Sequence, residues 1–208
     1  MEMRVALDIR NMDCMDLMSE YQDNHFELAI IDPPYGINAS NMKMNNNNHV
    51  FKSWDTNKPN KAYFNELFRV SQNQIIWGGN YFDLPPFGCV LVWDKKQPEG
   101  VTFSMVEIAW TSFKSKSKVF YQFPSHVTQG KKIHPTQKPV KLYKWLLEKY
   151  AKPGDKILDT HAGSCSIAIA CHYMGFDLTA CELDKDYYEA AMKRIKEETA
   201  QISMFDGG

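Results

Sequence analysis

Apolar positions along the chain recur with two periods, and stretches of the two kinds alternate. Short apolar runs bounded by polar or turn-forming residues predict strands at 5–9, 26–31, 75–77, 90–93, 106–110, 156–159 and 178–182. Between them, apolar residues spaced three and four apart predict helices. Phe64, Leu67 and Phe68 share one face of a helix from Lys61 to Val70, and Leu142, Trp145, Leu146 and Tyr150 follow Pro139, which suits a first helical turn. A short helix is expected after Cys14, another from Ile167 to Met174, and a last one from near Asp184 to about Thr199. Strands that alternate with helices predict an α/β sheet with helical crossovers.

The pattern is interrupted where chemistry or mobility is expected. The run Phe26–Ile31 stops at Asp32-Pro33-Pro34-Tyr35, because prolines lack the N–H donors that a central strand needs. Residues 36–60 are polar, with asparagine at every position from Asn45 to Asn48, and read as a mobile loop. Beyond residue 200 the helical period ends, which leaves 201–208 as a flexible tail. The length of 208 residues suits one domain, expected over 1–200.

Composition narrows the class. No apolar run approaches the ~20 residues that cross a bilayer, and Met1-Glu2-Met3-Arg4-Val5 is not a charged leader followed by an apolar stretch, so no secretion signal is expected. Cys14, Cys89, Cys165, Cys171 and Cys181 form no C-x-x-C pair; a zinc site or disulfide framework is not expected, and a reduced, cytoplasmic setting fits best. Net charge is −1, yet Lys114, Lys116, Lys118, Lys131, Lys132, Lys138, Lys141 and Lys144 follow one another with no acidic residue between them. Such a run is either a solvated face or a phosphate-binding strip, and charge alone does not choose.

Two constellations carry chemistry. In Leu158-Asp159-Thr160-His161-Ala162-Gly163-Ser164-Cys165-Ser166, small residues between a strand and a helix let backbone approach a ligand, and the helix start offers free N–H groups. Glu182 closes the next strand, where a carboxylate can accept from ribose hydroxyls, so an adenosine-containing ligand is expected. At Asp32-Pro33-Pro34-Tyr35, the rigid turn offers the Asp32 carboxylate and the Pro33 carbonyl as acceptors beside the Tyr35 ring, a receptor for an amine on an aromatic heterocycle.

Taken in order, these motifs resemble those of the amino-group DNA methyltransferases, specifically a small member of the β group, in which the catalytic motif precedes the cofactor motif. Asp32 to Tyr35 is similar to the catalytic motif and Asp159 to Ser166 to the cofactor loop. His134-Pro135-Thr136-Gln137-Lys138-Pro139 is similar to the segment before that loop, and Asn11-Met12-Asp13-Cys14 to the segment that holds the cofactor's adenine. The chain departs from the pattern at Thr160 and His161, where proline and phenylalanine are common, and at Cys165, where glycine is usual.

The resemblance implies a Rossmann-like class I methyltransferase fold with a mainly parallel seven-stranded sheet in circularly permuted motif order, and S-adenosyl-L-methionine as cofactor. It implies catalytic roles for Asp32, Pro33, Pro34 and Tyr35. It implies cofactor contacts from Asp13, Cys14, Thr136, Lys138, Asp159, Ala162, Gly163, Ser164, Cys165, Ser166, Glu182 and Leu183. The expected reaction is methyl transfer to an amino group of a flipped-out base in double-stranded DNA, with adenine N6 favoured by Asp at the first motif position. Cytosine N4, an RNA substrate and cofactor binding without transfer are the alternatives. Residues 113–133, with Lys114, Lys116, Lys118, Lys131 and Lys132 among aromatic side chains, are the candidate DNA-recognition segment. Gln201-Ile202-Ser203-Met204-Phe205 resembles the peptide by which replication and repair proteins dock on the bacterial sliding clamp, with Gln201, Met204 and Phe205 as the docking residues. A homodimer is a further expected partner state.

Overall fold

A computed structural model describes residues 5–36, 58–100, 104–123 and 133–200. Eight strands form one sheet: β1 (Leu7–Asn11), β2 (Phe26–Ile31), β3 (Ser71–Trp77), β4 (Cys89–Asp94), β5 (Val106–Thr111), β6 (Lys118–Tyr121), β7 (Lys156–Asp159) and β8 (Asp177–Glu182). Their spatial order is β1-β8-β7-β2-β3-β5-β4-β6. Neighbours pair in parallel except β3 with β5 and β4 with β5. The α/β class and the mainly parallel sheet are as expected, but the sheet has eight strands among the described residues where seven were expected. The addition is β6, four residues within the stretch read as a recognition segment; its alternating Val119, Phe120 and Tyr121 pair with Val92, Trp93 and Asp94. Four residues give too short an alternation to stand out in the sequence.

Among the described residues five helices cover the sheet: α1 (Cys14–Ser19), α2 (Lys61–Val70), α3 (Val140–Tyr150), α4 (Ser166–Met174) and α5 (Lys185–Ala200). Side-chain caps start the first two, since Asp13 accepts from Met15 N at 2.7 Å and Asn60 from Tyr63 N at 3.1 Å. Successive residues of a strand face opposite sides, and both sides of the central strands are covered. Leu28, Ile30, Ile75 and Trp77 pack with α3 and α4 in one core, whereas Ala29, Ile31 and Ile76 pack with Leu17, Met18, Phe64 and Leu67 of α1 and α2 in the other. That is why Leu28-Ala29-Ile30-Ile31 is a continuous apolar run rather than an alternating one. Among the described residues no helix is long and apolar enough to cross a membrane.

The order of strands fixes where the site lies. β7 inserts beside β2, with Leu28 opposite Ile157 and Ala29 opposite Leu158. Both strands run the same way, so the Asp32 turn and the Asp159 turn, distant in sequence, emerge at the same end of the sheet. Ligands of open α/β sheets bind at that end. β5 runs the other way, so its first residues, not its last, reach the same end.

Candidate active site

Asp32 leaves β2 as the strand ends. Its Oδ1 accepts from the Tyr35 hydroxyl at 2.6 Å, and its Oδ2 from the Lys138 ammonium at 2.5 Å. Lys138 lies just before α3, and its side chain is 2% exposed. The same Nζ stands 3.0 Å from Glu107 Oε2 on β5, and Glu107 Oε1 takes Lys95 at 2.7 Å. Two carboxylates and two ammonium groups thus alternate along one line into the end of the sheet. Burial drives the Asp32 carboxyl upward, and Glu107 adds to this; Lys138 and Tyr35 oppose it without reversing it. Burial would raise Glu107 too, but Lys138 and Lys95 together hold it at about 2. Burial alone would lower Lys138, yet its two carboxylate neighbours keep it above the ordinary lysine value.

Tyr35 is fixed by its surroundings. Its ring lies parallel to Tyr81 at 5.0 Å, with Phe82 edge-on at 6.2 Å. Gly78 adopts φ +66°, and a Cβ there would fall 2.2 Å from the Tyr35 ring, so this turn needs glycine on both counts.

The second turn is built from backbone. Asp159 Oδ1 accepts from His161 N at 3.0 Å, and Ala162 N donates to Cys181 O at 3.0 Å, which ties the turn to β8. Glu182 accepts from Gly163 N at 2.8 Å and from Asp184 N at 2.9 Å, so each of its oxygens holds one strand-end turn and keeps lone-pair capacity toward the cavity. Arg194 of α5 reaches beneath the loop, with one guanidinium nitrogen donating to Ser164 O and Ser166 Oγ, both at 2.9 Å. Burial pushes the Asp159 carboxyl up to about 7 and pulls His161 down to about 4, so the imidazole is neutral near pH 7. The His161 ring meets Tyr63 edge-on, and Tyr63 Oη lies 2.5 Å from Thr160 Oγ1. Thr160 and His161 are thereby accommodated by a tyrosine from α2.

A cavity of about 830 Å³ opens between the two turns. Asp13, Cys14, Asp32, Pro34, Thr136, Lys138, Ala162, Gly163, Ser164, Glu182 and Leu183 line it, gathered from distant parts of the chain. Leu183, 70% exposed, leaves an apolar face open beside the Glu182 carboxylate. Pro33, Tyr35, Asp159, Cys165 and Ser166 are not on its wall. Tyr35 and Asp159 stand behind it and hold Asp32 and His161, while Cys165 and Ser166 are buried under the loop.

Lys114, Lys116 and Lys118 do not reach the cavity. The first two are exposed on the turn after β5, at the end of the sheet opposite the one from which Asp32 emerges. Lys118 donates to Tyr150 Oη at 3.3 Å and lies over that ring. The lysine run is therefore dispersed by the fold, with Lys138 buried and Lys144 over Tyr173. Lys131, Lys132, Gln201, Met204 and Phe205, and most of the loop 36–60, lie outside the described residues.

Sequence reasoning missed Glu107, Lys95, Tyr63 and Arg194. Glu107 carried a signal, as a single acidic residue within the apolar strand Val106–Trp110. Arg194 carried none, being one basic residue in a helix rich in charges.

Comparison with known proteins finds similar sequences and folds. The family model for N6/N4 enzymes, described as "DNA methylase", matches residues 87–193. The chain is 25% identical to the type II methyltransferase M2.MboI of Moraxella bovis, over 90% of this chain and 86% of that protein. It is 22% identical to the type II methyltransferase M.HpaI of Haemophilus parainfluenzae, over 87% of this chain and 71% of that one. Among solved structures, the M1.HpyAVI-SAM complex superposes with a TM-score of 0.63 at 16% identity, covering 91% of this chain and 98% of that one. The cytosine-N4-specific PvuII DNA methyltransferase does so with a TM-score of 0.62 at 12% identity, covering 95% and 92%.

Proposed function

The chain belongs to the N6/N4 DNA methylase family, and from that premise we propose that it transfers a methyl group from S-adenosyl-L-methionine to the N6 amino group of adenine in DNA. The observation that carries this reading is the Asp32 carboxylate, held by Lys138 and Tyr35 at the edge of a cavity whose far wall is the Ala162–Ser164 turn.

The residues present suit the cofactor. Glu182 offers an acceptor for ribose hydroxyls, Leu183 an open apolar face for a purine, and Asp13 and Cys14 flank the same wall. Gly163, with φ +51°, lets the backbone of the turn approach closely, and a Cβ there would already touch His134 at 3.7 Å. Thr136 and Ser164 supply hydroxyls for the methionine part. When bound, this cofactor supplies an electrophilic methyl on sulfur.

The protein's own part is positioning and electrostatics. An adenine amino group is a weak nucleophile because its lone pair is delocalised into the ring. Asp32, on the cavity wall, accepts one of its hydrogens, which favours a pyramidal nitrogen with the lone pair freed toward the methyl. After transfer the nitrogen carries an extra proton and is acidic; Asp32 stands ready to receive it. The base leaves the duplex to reach this pocket, at a cost of a few kcal/mol. Asp at the first position of the catalytic motif favours adenine over cytosine, and Pro34 gives the pocket a rigid side that the stacked Tyr35 and Tyr81 support from behind.

DNA contacts are proposed for the exposed Lys114 and Lys116 together with Lys131 and Lys132; because Lys114 and Lys116 lie at the end of the sheet opposite Asp32, this requires DNA to run from the cavity along the strands to that end. We also propose that 201–208 docks on the sliding clamp, which would raise the local concentration of DNA and offset weak intrinsic affinity. Loss of clamp binding on Phe205→Ala is expected, and absence of binding by the intact tail would refute it. A homodimer is proposed as well, and sedimentation at the mass of a single chain would refute it.

Nucleoside analysis of unmethylated DNA after incubation with the protein and cofactor tests the target. N6-methyladenine is the expected product. N4-methylcytosine would move the assignment to cytosine, and cofactor bound without any methylated nucleoside would contradict transfer to DNA.

A further inference from the structure

Glu107 is not part of either motif, yet it stands in the line of charges that ends at Asp32. The antiparallel course of β5 brings it there, because this strand delivers its first residues to the cavity end of the sheet. Its two oxygens are divided between two ammonium groups, Lys95 at 2.7 Å and Lys138 at 3.0 Å. Lys138 is in turn divided between Glu107 and Asp32, with its side chain only 2% exposed and the Trp77 ring 5.4 Å away. No water-filled route is needed to balance the charge of Lys138; Glu107 does so from inside the fold.

We propose that Glu107 is a positioning residue for the reaction at Asp32: by sharing Lys138, it divides the charge of an ammonium that already contacts Asp32 and leaves the carboxylate able to accept from the target amino group. This rests on the reading of Asp32 as the acceptor for that group. A buried carboxylate paired one-to-one with an ammonium is a weak acceptor, because the cation has already stabilised its charge. With a second carboxylate on the same ammonium, that stabilisation is divided. The groups that face Asp32 are Lys138 from the segment before α3, Glu107 from β5, Tyr35 from its own turn, Tyr143 from α3 and Asp159 from β7. Of these only Lys138 is cationic, and among the described residues only Glu107 pairs with it besides Asp32. Glu107 also pushes the Asp32 carboxyl upward, in the sense this role requires.

The sign of the effect follows. Activity requires Asp32 as carboxylate, so kcat falls as pH falls through its ionisation. Removing the Glu107 charge leaves Lys138 wholly to Asp32, lowers that ionisation and weakens the acceptor. In the full-length protein, Glu107→Gln is expected to lower kcat about tenfold or more and to move the acid limb of the kcat–pH profile down by about one unit, with cofactor affinity little changed. Glu107→Asp, which keeps the charge, should recover part of both. Because Glu107 acts mainly through Lys138, the displacement of the acid limb should be smaller when Glu107→Gln is made in a Lys138→Met background, where only the direct repulsion between the two carboxylates remains. An acid limb unmoved in Glu107→Gln, or moved equally in both backgrounds, would overturn the inference. So would loss of cofactor binding or of thermal stability sufficient to explain the fall in kcat. Wild type that yields no methylated adenine would instead overturn the function on which it rests, so the two failures are told apart by the wild-type control.

Discussion

Cys165 adopts φ 51° and ψ 34°, a left-handed conformation that a side chain disfavours, and its thiol is fully buried under the cofactor turn. The backbone strain is on the order of 1–2 kcal/mol, offset by packing of the sulfur. Replacing it with glycine removes both, whereas alanine removes the sulfur and keeps the strain. Cys165→Gly is therefore expected to be more stable than Cys165→Ala by about 1 kcal/mol in denaturant titrations, the reverse of the order at ordinary buried positions. An alanine variant more stable than the glycine one would show that the turn is not strained. Asp159 makes a second prediction at this scale. Its carboxyl is raised from 3.8 to about 7 by burial, so the stability its proton brings is full below about pH 4 and is lost as pH rises through about 7. Asparagine keeps an acceptor for His161 N–H without the charge. Asp159→Asn should thus melt above wild type at about pH 8, by roughly 2–4 °C for each kcal/mol regained, and the difference should shrink toward about pH 5. A gain of equal size at both values would contradict the burial of a charge.

At the scale of elements, the helices and the parallel strands were legible because each carries its own period. Lys61–Val70 buries Tyr63, Phe64, Leu67 and Val70 as a helix must, and residues 28–31 are apolar throughout because both faces are covered. Less was legible where position depends on partners remote in sequence. β1 was expected at Val5–Ile9 but spans Leu7–Asn11, because its register is set by β8, with Asn11 opposite Glu182. The two motifs could be found in the sequence; their union at one cavity comes from β7 entering beside β2. Glu107 could not be joined to Lys138 without knowing that β5 is antiparallel. Nor could Arg194, which comes from the last helix to hold the turn that starts α4. Arg194→Ala removes its hydrogen bonds to Ser164 and Ser166 and is expected to destabilise the fold by about 1–3 kcal/mol. It should also weaken cofactor binding about tenfold by calorimetry. Unchanged affinity in that variant would mean that the turn holds its shape without α5.

At the scale of the whole molecule, the sheet is a device that brings four sequence-distant segments to one end. The Asp13 cap, the Asp32 turn, the Lys138 segment and the Asp159–Glu182 unit all open on the same cavity. In the reaction we propose, its two sides divide the work: Glu182, Leu183 and the Ala162–Ser164 turn for the cofactor, and Asp32 with its lysine and tyrosine for the acceptor base. The outer strand β5 supplies Glu107 and the residue after β4 supplies Lys95, both from behind. The central claim is that Asp32 serves transfer rather than binding. Its most direct test compares wild type with Asp32→Asn in transfer of labelled methyl from S-adenosyl-L-methionine to unmethylated DNA, with cofactor affinity measured on both. The expected result is N6-methyladenine from wild type, and from the variant a kcat lower by roughly 10²-fold or more with affinity within a few-fold. Turnover by Asp32→Asn at the wild-type rate would contradict the account.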